Sequence, residues 1–388
     1  MKRIGLIQAR SRALKRRNRI GCAVEAGDLH LARHLMRVSL RSFDAKFAAT
    51  AQAFRKMHPG AKLPKAKLAE NAAQLNPWKG TKEPARVSAR LKSSGGYRTV
   101  VDFELENRAL QYLVCGALRP WAKRQLHQDQ YGLRGGRDAA IKAAAEALDE
   151  GLAWAVTADI KDFYPSINGK KLQKLLPLSE EMIRLVMLSR YLRLSLGWRP
   201  LGVTTADFMA QARQGIPQGS AASSLLAEVV LAPLFNALPE GACVINYADN
   251  FLILAHSKAE ADSTVNTLRC ACKSLPAGPL RLVAKEPRPS TEWIDFLGYS
   301  LRAHNGNVLI RPSNGNLERF NHIINDYEYD LLEDVGDGDE RFKKAERFVQ
   351  SWSSAFHRWP YAGLNCAMWL NDLDEAAEIG ALLGPDFE

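Results

Sequence analysis

The sequence predicts an α+β protein, with helical segments at both ends and an antiparallel sheet with helices between them. Apolar residues recur at helical spacing through residues 1–75 and again after Arg311. Between these segments lie short apolar runs of strand length, at 152–160 and within 280–310. The run 243–256 contains a tight turn, YADN, and is predicted to form a β-hairpin.

The N-terminal segment is strongly basic. Residues 1–70 hold 17 Lys/Arg against 4 Asp/Glu, a surplus of +13, whereas the remaining residues sum to −2 and the whole chain to +11. Such a surplus favours binding of nucleic-acid phosphates, and a solvated basic helix is the alternative interpretation. The candidate phosphate-binding side chains are Arg12, Lys15, Arg16, Arg17 and Arg19.

The remaining elements follow in order along the chain. Asp28 is a candidate N-cap for a long helical run that ends at Pro59-Gly60. Residues 76–105 are predicted to form a hairpin around SSGGY. Further helices are predicted over 106–150 (broken by the glycine pair 135–136), 177–200, 257–275 and the residues after 311, with an acidic loop near 333–340.

Composition excludes several classes of protein. The 388 residues, 46% hydrophobic and 24% charged, are typical of a globular chain of two or three domains. No apolar run reaches the ~20 residues that a membrane span needs, and the N-terminus lacks the apolar core of a secretory signal. The six scattered cysteines are interpreted as reduced core residues of a cytoplasmic protein.

Two acids at predicted strand ends suggest a site. Asp159 ends the strand AWAVTADI, and Asp249 lies in the YADN turn, 90 residues later. Two carboxylates within ~4 Å repel each other unless a divalent cation lies between them. Such a pair can hold two Mg²⁺ ions for in-line phosphoryl transfer, although either acid alone is as readily a turn residue or an N-cap.

A glycine-rich loop precedes a predicted helix in QGIPQGSAASSLLAEVVL. Glycines allow the backbone to approach a flat ligand, and Gln218 can form hydrogen bonds along the edge of such a ligand. A glycine-rich and serine-rich helix cap without a ligand is the alternative.

Seven segments taken together resemble motifs of the reverse transcriptases of bacteria, the clan of group II intron, retron and defence-associated enzymes. In chain order they are RLKSSGGYRTVVDFELENRALQYLV, QYGLRGGRDAAIKA, VTADIKDFYPSI, QGIPQGSAASSLLA, NYADNFLIL, LVAKEP and DFLGY, between about residues 85 and 300. Their order and spacing are more specific than any one of them.

The resemblance implies a right-hand polymerase fold. Its expected parts are a basic helical N-terminal extension at 1–75, fingers at 76–150, a palm at 151–311 with fingers-side helices at about 170–212, and a helical thumb with an acidic C-terminal region at 312–388. The C-terminal region has 6 Lys/Arg against 16 Asp/Glu. Its aromatic residues are consistent with a thumb without being specific to one.

By resemblance, Asp159 and Asp249 are the shared ligands of two Mg²⁺ ions, with Mn²⁺ as a substitute. The backbone carbonyl of Ile160 completes the site. Asn250 stands where the family has a second Asp, so one negative charge is missing from the catalytic turn. We expect weaker metal affinity, a preference shifted toward Mn²⁺ or slower chemistry, but not an inactive enzyme.

The resemblance also places six side chains around an incoming dNTP: Lys92, Arg98, Asp162, Tyr164, Gln218 and Lys285. Arg98 and Lys92 would bind the triphosphate, and Gln218 would contact the nucleotide. Asp162 is expected near the triphosphate or the ribose 3′-hydroxyl. Tyr164 would exclude a ribose 2′-hydroxyl, with a core aromatic role as the alternative, and Lys285 would protonate pyrophosphate.

Five further residues are assigned to nucleic acid by resemblance. Arg134 and Arg137 would hold template or triphosphate, with simple surface charge as the alternative. Phe296, Gly298 and Tyr299 would form a primer grip, in which Gly298 allows close backbone approach to the primer strand.

The function so predicted is RNA-directed DNA polymerisation from a primer 3′-hydroxyl, by a cytoplasmic protein in bacterial anti-phage defence. Its partners would be a structured RNA (template or non-coding), DNA as product or primer, dNTPs, and a further copy or an accessory defence protein. Alternatives are a template-independent or protein-primed DNA polymerase of the same fold, and a non-catalytic RNA-binding scaffold, which Asn250 favours. For the biological setting, the alternative is a mutagenic retroelement enzyme of a phage diversification system, although such enzymes usually depart from the family at the Gln-Gly-Ser loop, which is intact here.

Overall fold

The computed structural model describes residues 5–92, 95–332 and 338–383. Within these ranges helices alternate with three small sheets, and two of the three sheets are wholly antiparallel. The predicted α+β class is confirmed.

Four helices pack together at the N-terminal end. They are α1 (Leu6–Glu25), α2 (Leu29–Arg41), α3 (Phe43–Met57) and α4 (Lys65–Gln74). Asp28 caps α2 as predicted, since its Oδ1 accepts a hydrogen bond from the Leu31 N–H at 2.8 Å. The long helix predicted after Asp28 is divided at Ser42, whose extended backbone (ψ 127°) lets α3 turn back against α1.

The next sheet has the strand order β2-β1-β4. The strands are β1 (Ala85–Leu91), β2 (Tyr97–Phe103) and β4 (Leu194–Leu196). The predicted hairpin β1–β2 is present, and Ser93 and Ser94 of its turn lie outside the described residues. The helix predicted over 177–200 is wrong in its second half, because Leu192 is buried in the core of this sheet and β4 pairs with β1 in parallel.

Helices of 4 to 21 residues connect the strands of these sheets. They are α5 (Leu105–Gln125), α6 (Gly136–Asp149), α7 (Phe163–Ser166), α8 (Gly169–Leu175), α9 (Glu180–Met187), α10 (Thr205–Ala212), α11 (Ser223–Leu231) and α12 (Lys258–Ser274). Helix α5 is central, and it packs against α1, α3 and α11. The Glu83 carboxylate accepts the backbone N–H groups of Glu106 and Asn107, at 3.2 and 2.9 Å, and so satisfies two of the first N–H groups of α5.

The central sheet has the order β5-β6-β3-β7, with β8 pairing with β3, and every pairing is antiparallel. Its strands are β3 (Trp154–Ile160), β5 (Cys243–Tyr247), β6 (Asn250–Ala255), β7 (Leu282–Ala284) and β8 (Arg288–Pro289). Because side chains alternate along β3 and β6, one face packs in the core with α11 and α12 and the other face packs on α6.

A third sheet leads into the C-terminal helices. Its strands are β9 (Ile294–Phe296), β10 (Tyr299–His304) and β11 (Asn307–Pro312), followed by α13 (Asn314–Leu332), α14 (Gly338–Ala355) and α15 (Ala362–Leu383). Phe320, Trp352 and Trp369 pack together where the three helices meet, with tilted or edge-to-face rings whose centroids lie 4.2 to 5.4 Å apart. Residues 333–337 of the predicted acidic loop lie outside the described residues.

Two further predictions concerned the cysteines and membrane-spanning segments. All six cysteines are free, but Cys22 and Cys270 are exposed, so the predicted core placement is wrong for these two. None of the helices in the described part of the chain has the length and apolar character that crossing a bilayer requires.

Candidate active site

A cavity of about 260 Å³ lies where β2, the end of β3, the β5–β6 turn and the loop between α10 and α11 meet. Predicted site residues from four separate segments line it: Lys92, Arg98, Asp159, Ile160, Asp162, Tyr164, Gln218 and Asp249. The fold therefore brings together groups that are up to 157 positions apart in the sequence.

Two carboxylates meet at the end of the central sheet. The Ile160 N–H donates to the backbone carbonyl of Asp249 at 3.1 Å, which joins the end of β3 to the turn after β5. The pKa of Asp249 is raised, chiefly by burial and further by the negative charge of Asp159, while Arg98 acts in the opposite direction. The two acids are therefore close enough to repel each other, and a bound cation would relieve this repulsion.

The atoms at this point fit a divalent cation. Two carboxylates and the Ile160 carbonyl are hard oxygen donors of the kind that Mg²⁺ and Mn²⁺ prefer. Across residues 5–92, 95–332 and 338–383, no group of three or more His, Cys, Asp or Glu side chains is placed to hold a metal ion. The candidate metal site thus has two acidic ligands, and the other ligands must be neutral oxygens, water or substrate phosphate.

Asn250 lies beside both carboxylates. It is directly opposite Asp159 in the β3–β6 ladder, and directly opposed residues project from the same face of a sheet. Its Nδ2 donates to Oδ1 of Asp249 at 3.2 Å. A neutral amide N–H is therefore directed at the Asp249 carboxylate, at the position where the resembling reverse transcriptases carry a second Asp.

Glycines let the loop before α11 approach the walls of the cavity. Gly215 has φ +54°, and a Cβ on it would lie 2.0 Å from the carbonyl oxygen of Tyr164. Gly219 has φ +110°, and a Cβ on it would lie 2.4 Å from the carbonyl oxygen of Val101. The carbonyl oxygen of Gln218 accepts the Val101 N–H at 2.8 Å. The loop is thus held against both the Tyr164 segment and β2, the strand that carries Arg98.

Two further features shape the cavity wall. Tyr164 is half-buried and packs edge-to-face on Phe163, with ring centroids 5.2 Å apart. Its pKa is raised by burial and by the nearby Asp249, so the phenol stays protonated. Lys92 Nζ lies 3.8 Å from Oδ1 of Asp162, so the lysine has a carboxylate partner within the cavity.

Lys285 is not brought into the cavity. It follows β7, its side chain is exposed, and its N–H donates to the Thr157 carbonyl at 2.9 Å. Among the described residues that line the cavity, the cations of the predicted nucleotide site are Lys92 and Arg98.

Arg134 and Arg137 make intramolecular contacts. Arg134 donates to the carbonyls of Lys123 and Leu126, at the C-terminal end of α5. The guanidinium of Arg137 lies over the rings of Tyr299 and Phe356, 5.2 and 5.1 Å from their centroids, and donates to the Ala355 carbonyl.

Asp138, beside Arg137, binds the same C-terminal segment. Arg358 donates to both of its carboxylate oxygens, and His357 lies 2.9 Å away. This pairing with Arg358 lowers the pKa of Asp138. Helix α6 is therefore joined to the segment after α14 by two adjacent residues.

The predicted primer-grip side chains are in the core. Phe296 and Tyr299 are 4% and 1% exposed, so neither ring faces a groove. Gly298 has φ +84°, and a Cβ on it would lie 2.9 Å from Nδ2 of Asn316, which donates to the Gly298 carbonyl. The close approach that Gly298 permits is to α13, so contact with a primer strand stays a prediction for the backbone of this segment only.

The basic residues of α1 divide into two groups. Arg12 and Arg16 lie 3.7 and 3.6 Å from the Asp44 carboxylate of α3, and Arg16 also donates to Ser42. Arg17 turns the other way and lies against Gly116 of α5. Lys15 and Arg19 are exposed. The predicted arm is therefore a packed helix with part of its charge neutralised internally.

Glu228 of α11 lies beside the catalytic turn, although none of the sequence motifs indicated it. It is completely buried, and its Oε1 accepts the N–H of Ala248, the residue before Asp249, at 2.9 Å. Burial raises its pKa to about 7. An ionisable residue in the otherwise apolar run LLAEVVL was the signal available in the sequence.

A family model described as "Reverse transcriptase (RNA-dependent DNA polymerase)" matches residues 90–278. These residues of the chain are therefore similar to the reverse transcriptase family. The matched segment runs from the end of β1 to just beyond α12 and includes every residue that lines the cavity. The matched family is described as RNA-dependent DNA polymerases, which are nucleotidyltransferases, and polymerases of that family generally use divalent metal ions.

Solved structures similar to the chain include two telomerases. One is telomerase from Candida albicans with a fragment of telomeric RNA, at 12% identity and a TM-score of 0.33, covering 79% of this chain and 62% of that one. The other is apo telomerase from Candida tropicalis truncated from the C-terminal domain, at 12% identity and a TM-score of 0.33, covering 61% and 57%. The chain thus spans about three fifths of the length of either telomerase. No curated protein matches the sequence.

Proposed function

We propose that the chain synthesises DNA on an RNA template by two-metal phosphoryl transfer at Asp159 and Asp249. The observation that supports this most is the cavity, because it brings the two mutually repelling carboxylates to the same place as Arg98, Tyr164 and Gln218. Asp159, Asp249 and the Ile160 carbonyl would hold the ions. When bound, divalent cations lower the pKa of the attacking hydroxyl and stabilise the pyrophosphate leaving group.

The residues of the chain itself bind and orient the nucleotide. Arg98 and Lys92 attract the triphosphate, and Lys92 exchanges Asp162 for phosphate when the nucleotide enters. Gln218 lies against the base or sugar, because its backbone is bonded to β2 and its side chain faces the cavity. Tyr164 closes the side of the cavity that a ribose 2′-hydroxyl would occupy.

The fingers, palm and thumb of the proposed polymerase correspond to successive groups of helices and strands. We assign residues 1–75 to a basic extension, 76–150 to the fingers, 151–311 to the palm and 312–388 to the thumb. The sheet β2-β1-β4 extends the fingers to the segment around Leu194–Leu196, within the insertion expected at about 170–212.

Incorporation of labelled dNTPs on a primed RNA template, with Mg²⁺ or Mn²⁺, tests the proposal. Asp249→Ala should lower incorporation by more than about 100-fold, since it removes a metal ligand outright. Arg33→Ala, an exposed change in α2, should leave incorporation unchanged. Incorporation by Asp249→Ala equal to that of the wild type would exclude this active site.

Two alternative functions predict different results in the same incorporation experiment. Asn250 favours a non-catalytic RNA-binding scaffold, which predicts no incorporation in either metal with the natural RNA present. A template-independent or protein-primed polymerase of the same fold predicts low-complexity products in place of template complements. Sequencing the products distinguishes these outcomes.

The RNA partner is proposed to bind the outer surface of α1 and α5. Arg17, Arg119, Lys123 and Arg124 line a cleft of about 630 Å³ there, together with Glu25. The pKa of Arg17 is lowered by burial and by Arg119, so two guanidinium groups are held near each other. These four cations form no ion pair within the described ranges.

Replacing Arg17 and Arg119 with Ala should reduce the slope of log affinity against log salt by about 1 to 2. Arg33→Ala with Arg37→Ala removes two exposed cations from α2 and is the matched control. Point substitutions are preferable to deleting residues 1–20, because Leu6, Ala9, Ala13 and Ile20 are buried and deletion would uncover the core. Equal salt slopes for the two pairs would refute this assignment.

The biological setting is a further proposal. The resemblance to defence-associated enzymes, together with a basic helical extension suited to RNA, supports a role in bacterial anti-phage defence with a small structured RNA. Sequencing the nucleic acid that co-purifies with the chain tests it, and recovery of only unrelated cellular RNA would argue against it.

A further inference from the structure

The carboxyl group of Glu228 lies where three separate segments meet. Its Oε1 accepts the N–H of Ala248, and the backbone N–H of Gly132 also donates to the carboxyl group. The residue is completely buried in α11, and its Oε2 has no hydrogen-bond partner among the described residues. Burying an acid in an apolar core costs free energy unless hydrogen bonds to the carboxyl group offset that cost. The groups that donate these hydrogen bonds therefore indicate the role of Glu228.

The turn that Glu228 contacts is strained. Tyr247 and Asn250 are paired across β5 and β6, so Ala248 and Asp249 alone form the loop of the hairpin. Ala248 has φ +51°, a left-handed conformation that glycine adopts more readily. Strained turns persist only where the surroundings hold them, and the bond from the Ala248 N–H to Glu228 is such a restraint.

Gly132 is fitted to the same carboxyl group. A Cβ at this position would lie 2.1 Å from Oε1 of Glu228, so only glycine allows the two to approach. Gly132 belongs to the segment QYGLRGG, and the neighbouring Tyr131 N–H donates to the Asn246 carbonyl in β5 at 2.9 Å. Glu228 therefore joins this segment to the catalytic turn.

The buried amide side chains of Gln130 and Asn246 form further hydrogen bonds around Glu228 and the turn. Nε2 of Gln130 donates to the backbone carbonyl of Glu228 at 2.9 Å and lies 3.4 Å from Oδ1 of Asn246. Nδ2 of Asn246 donates to the carbonyls of Ala248 and Asn250, at 2.8 and 3.0 Å. The turn is thus held from its N–H side by Glu228 and from its carbonyl side by Asn246.

We propose that Glu228 is a positioning residue of the polymerase site, which holds the Ala248–Asp249 turn so that the Asp249 carboxylate meets Asp159 in the geometry that binds metal. The inference rests on the proposed function. It assigns to the Glu228 side chain an acceptor role that a glutamine oxygen can also perform, so it makes different predictions for Gln and Ala at this position.

The test compares Glu228→Ala and Glu228→Gln with Val230→Ala. Val230 is also completely buried in α11, and its truncation removes core packing without touching the turn. Two quantities are measured: the Mn²⁺ concentration for half-maximal dNTP incorporation, and amide hydrogen exchange of a peptide that contains Ala248, without metal. Loss of an outer-shell partner typically lowers metal affinity 10-fold to 100-fold.

We expect Glu228→Ala to raise the half-maximal Mn²⁺ concentration at least about 10-fold and to speed exchange of the hairpin peptide beyond any global change. Glu228→Gln should stay within about threefold of the wild type in both measurements, and so should Val230→Ala. A residue that only supports the fold would give Glu228→Ala and Val230→Ala the same pattern, and this result would overturn the proposal. Equal defects in the Gln and Ala variants would also overturn it.

A second variant covers the case in which Glu228→Ala does not fold. Gly132→Ala forces a Cβ against Oε1 of Glu228 and should also speed exchange at Ala248. Unchanged exchange in folded Gly132→Ala would count against the proposal. If the wild type incorporates no dNTP at all, the proposed function fails, whereas the exchange measurement still decides whether Glu228 holds the turn.

Discussion

Asn250 lies directly opposite Asp159 in the β3–β6 ladder and donates its amide N–H to the neighbouring Asp249 at 3.2 Å. A donor thus occupies the place where a third carboxylate would increase repulsion in the metal-free protein. The metal-free site therefore has less electrostatic repulsion than a site with a third carboxylate, but it offers one negative charge fewer to a bound metal ion.

Asn250→Asp should therefore strengthen metal binding and weaken the metal-free fold. We expect half-maximal activity at about tenfold lower Mg²⁺, which corresponds to about 1.4 kcal/mol. Without metal, loss of the N–H donor to a charged acceptor should lower the free energy of unfolding by about 1.5–3 kcal/mol. Metal titrations of incorporation and urea denaturation with a chelator measure the two effects. An unchanged Mg²⁺ requirement would show that residue 250 does not influence the ions.

Tyr164 should control the choice of sugar. Tyr164→Ala opens the cavity wall, so rNTP incorporation should rise relative to dNTP incorporation by about 10-fold or more. Tyr164→Phe keeps the ring and should keep discrimination, and the raised pKa of the phenol means that no pH dependence is expected from it. The measurement is the ratio of kcat/KM for dGTP and GTP, and an equal ratio in the Ala variant would instead support the core aromatic role.

Gly219→Ala should damage the nucleotide site more than the fold. The new Cβ would meet the Val101 carbonyl at 2.4 Å and push the Gln218 loop away from β2. Gly241→Ala is the matched control, because Gly241 also has a positive φ (+81°) but open space around it. Both variants should lose about 1–3 kcal/mol of stability from backbone strain. Only Gly219→Ala should raise the KM for dNTPs, and a similar rise in the control would refute the steric explanation.

Arg137→Ala should destabilise the protein. Its guanidinium packs on Tyr299 and Phe356 and donates to Ala355, contacts worth about 2 kcal/mol together. Arg134→Ala, an exposed cation three positions away, should change stability by less than about 1 kcal/mol. Denaturation midpoints test this directly. If Arg137→Ala were as stable as the wild type but had a smaller slope of log RNA affinity against log salt, the predicted role of Arg137 in nucleic-acid binding would be supported instead.

Glu228 should make stability depend on pH. Its pKa is about 7 in the folded chain and near 4.5 when unfolded, so between these values the folded state holds a proton that the unfolded state has lost. Stability from this group is fully present below pH 4.5 and is lost as the pH rises through 7, by about 3 kcal/mol in total. Glu228→Gln should remove this fall. Parallel pH profiles for the two proteins in chelator would contradict the raised pKa.

Secondary structure could be predicted from the sequence wherever the apolar pattern was long and local. The hairpin at 243–256, the strand before Asp159 and the helices α5, α6 and α12 are present where periodicity indicated them. The prediction was wrong over 177–200, because Leu192 and Leu194 serve a sheet whose other strands lie about 100 residues earlier. No local pattern could indicate that pairing.

The fold places some of the predicted site residues in the cavity and others outside it, and the sequence did not show which would be which. Arg98, Gln218 and Asp249 converge, whereas Lys285 lies outside the cavity and Arg137 packs on aromatic rings. Charge alone does not reveal whether an arginine faces solvent, a carboxylate or a ring, because that depends on which neighbours the chain folding brings to it.

The sequence by itself determined the elements, the basic N-terminal helices and the order of motifs, since these depend on residue type and on neighbours within a few positions. Tertiary structure alone decided that Asp159 and Asp249 repel each other, that Asn250 donates to Asp249, and that buried Glu228 holds the strained turn. These relationships require atoms from distant segments to lie within a few ångströms, and electrostatics and hydrogen bonds act only at such distances.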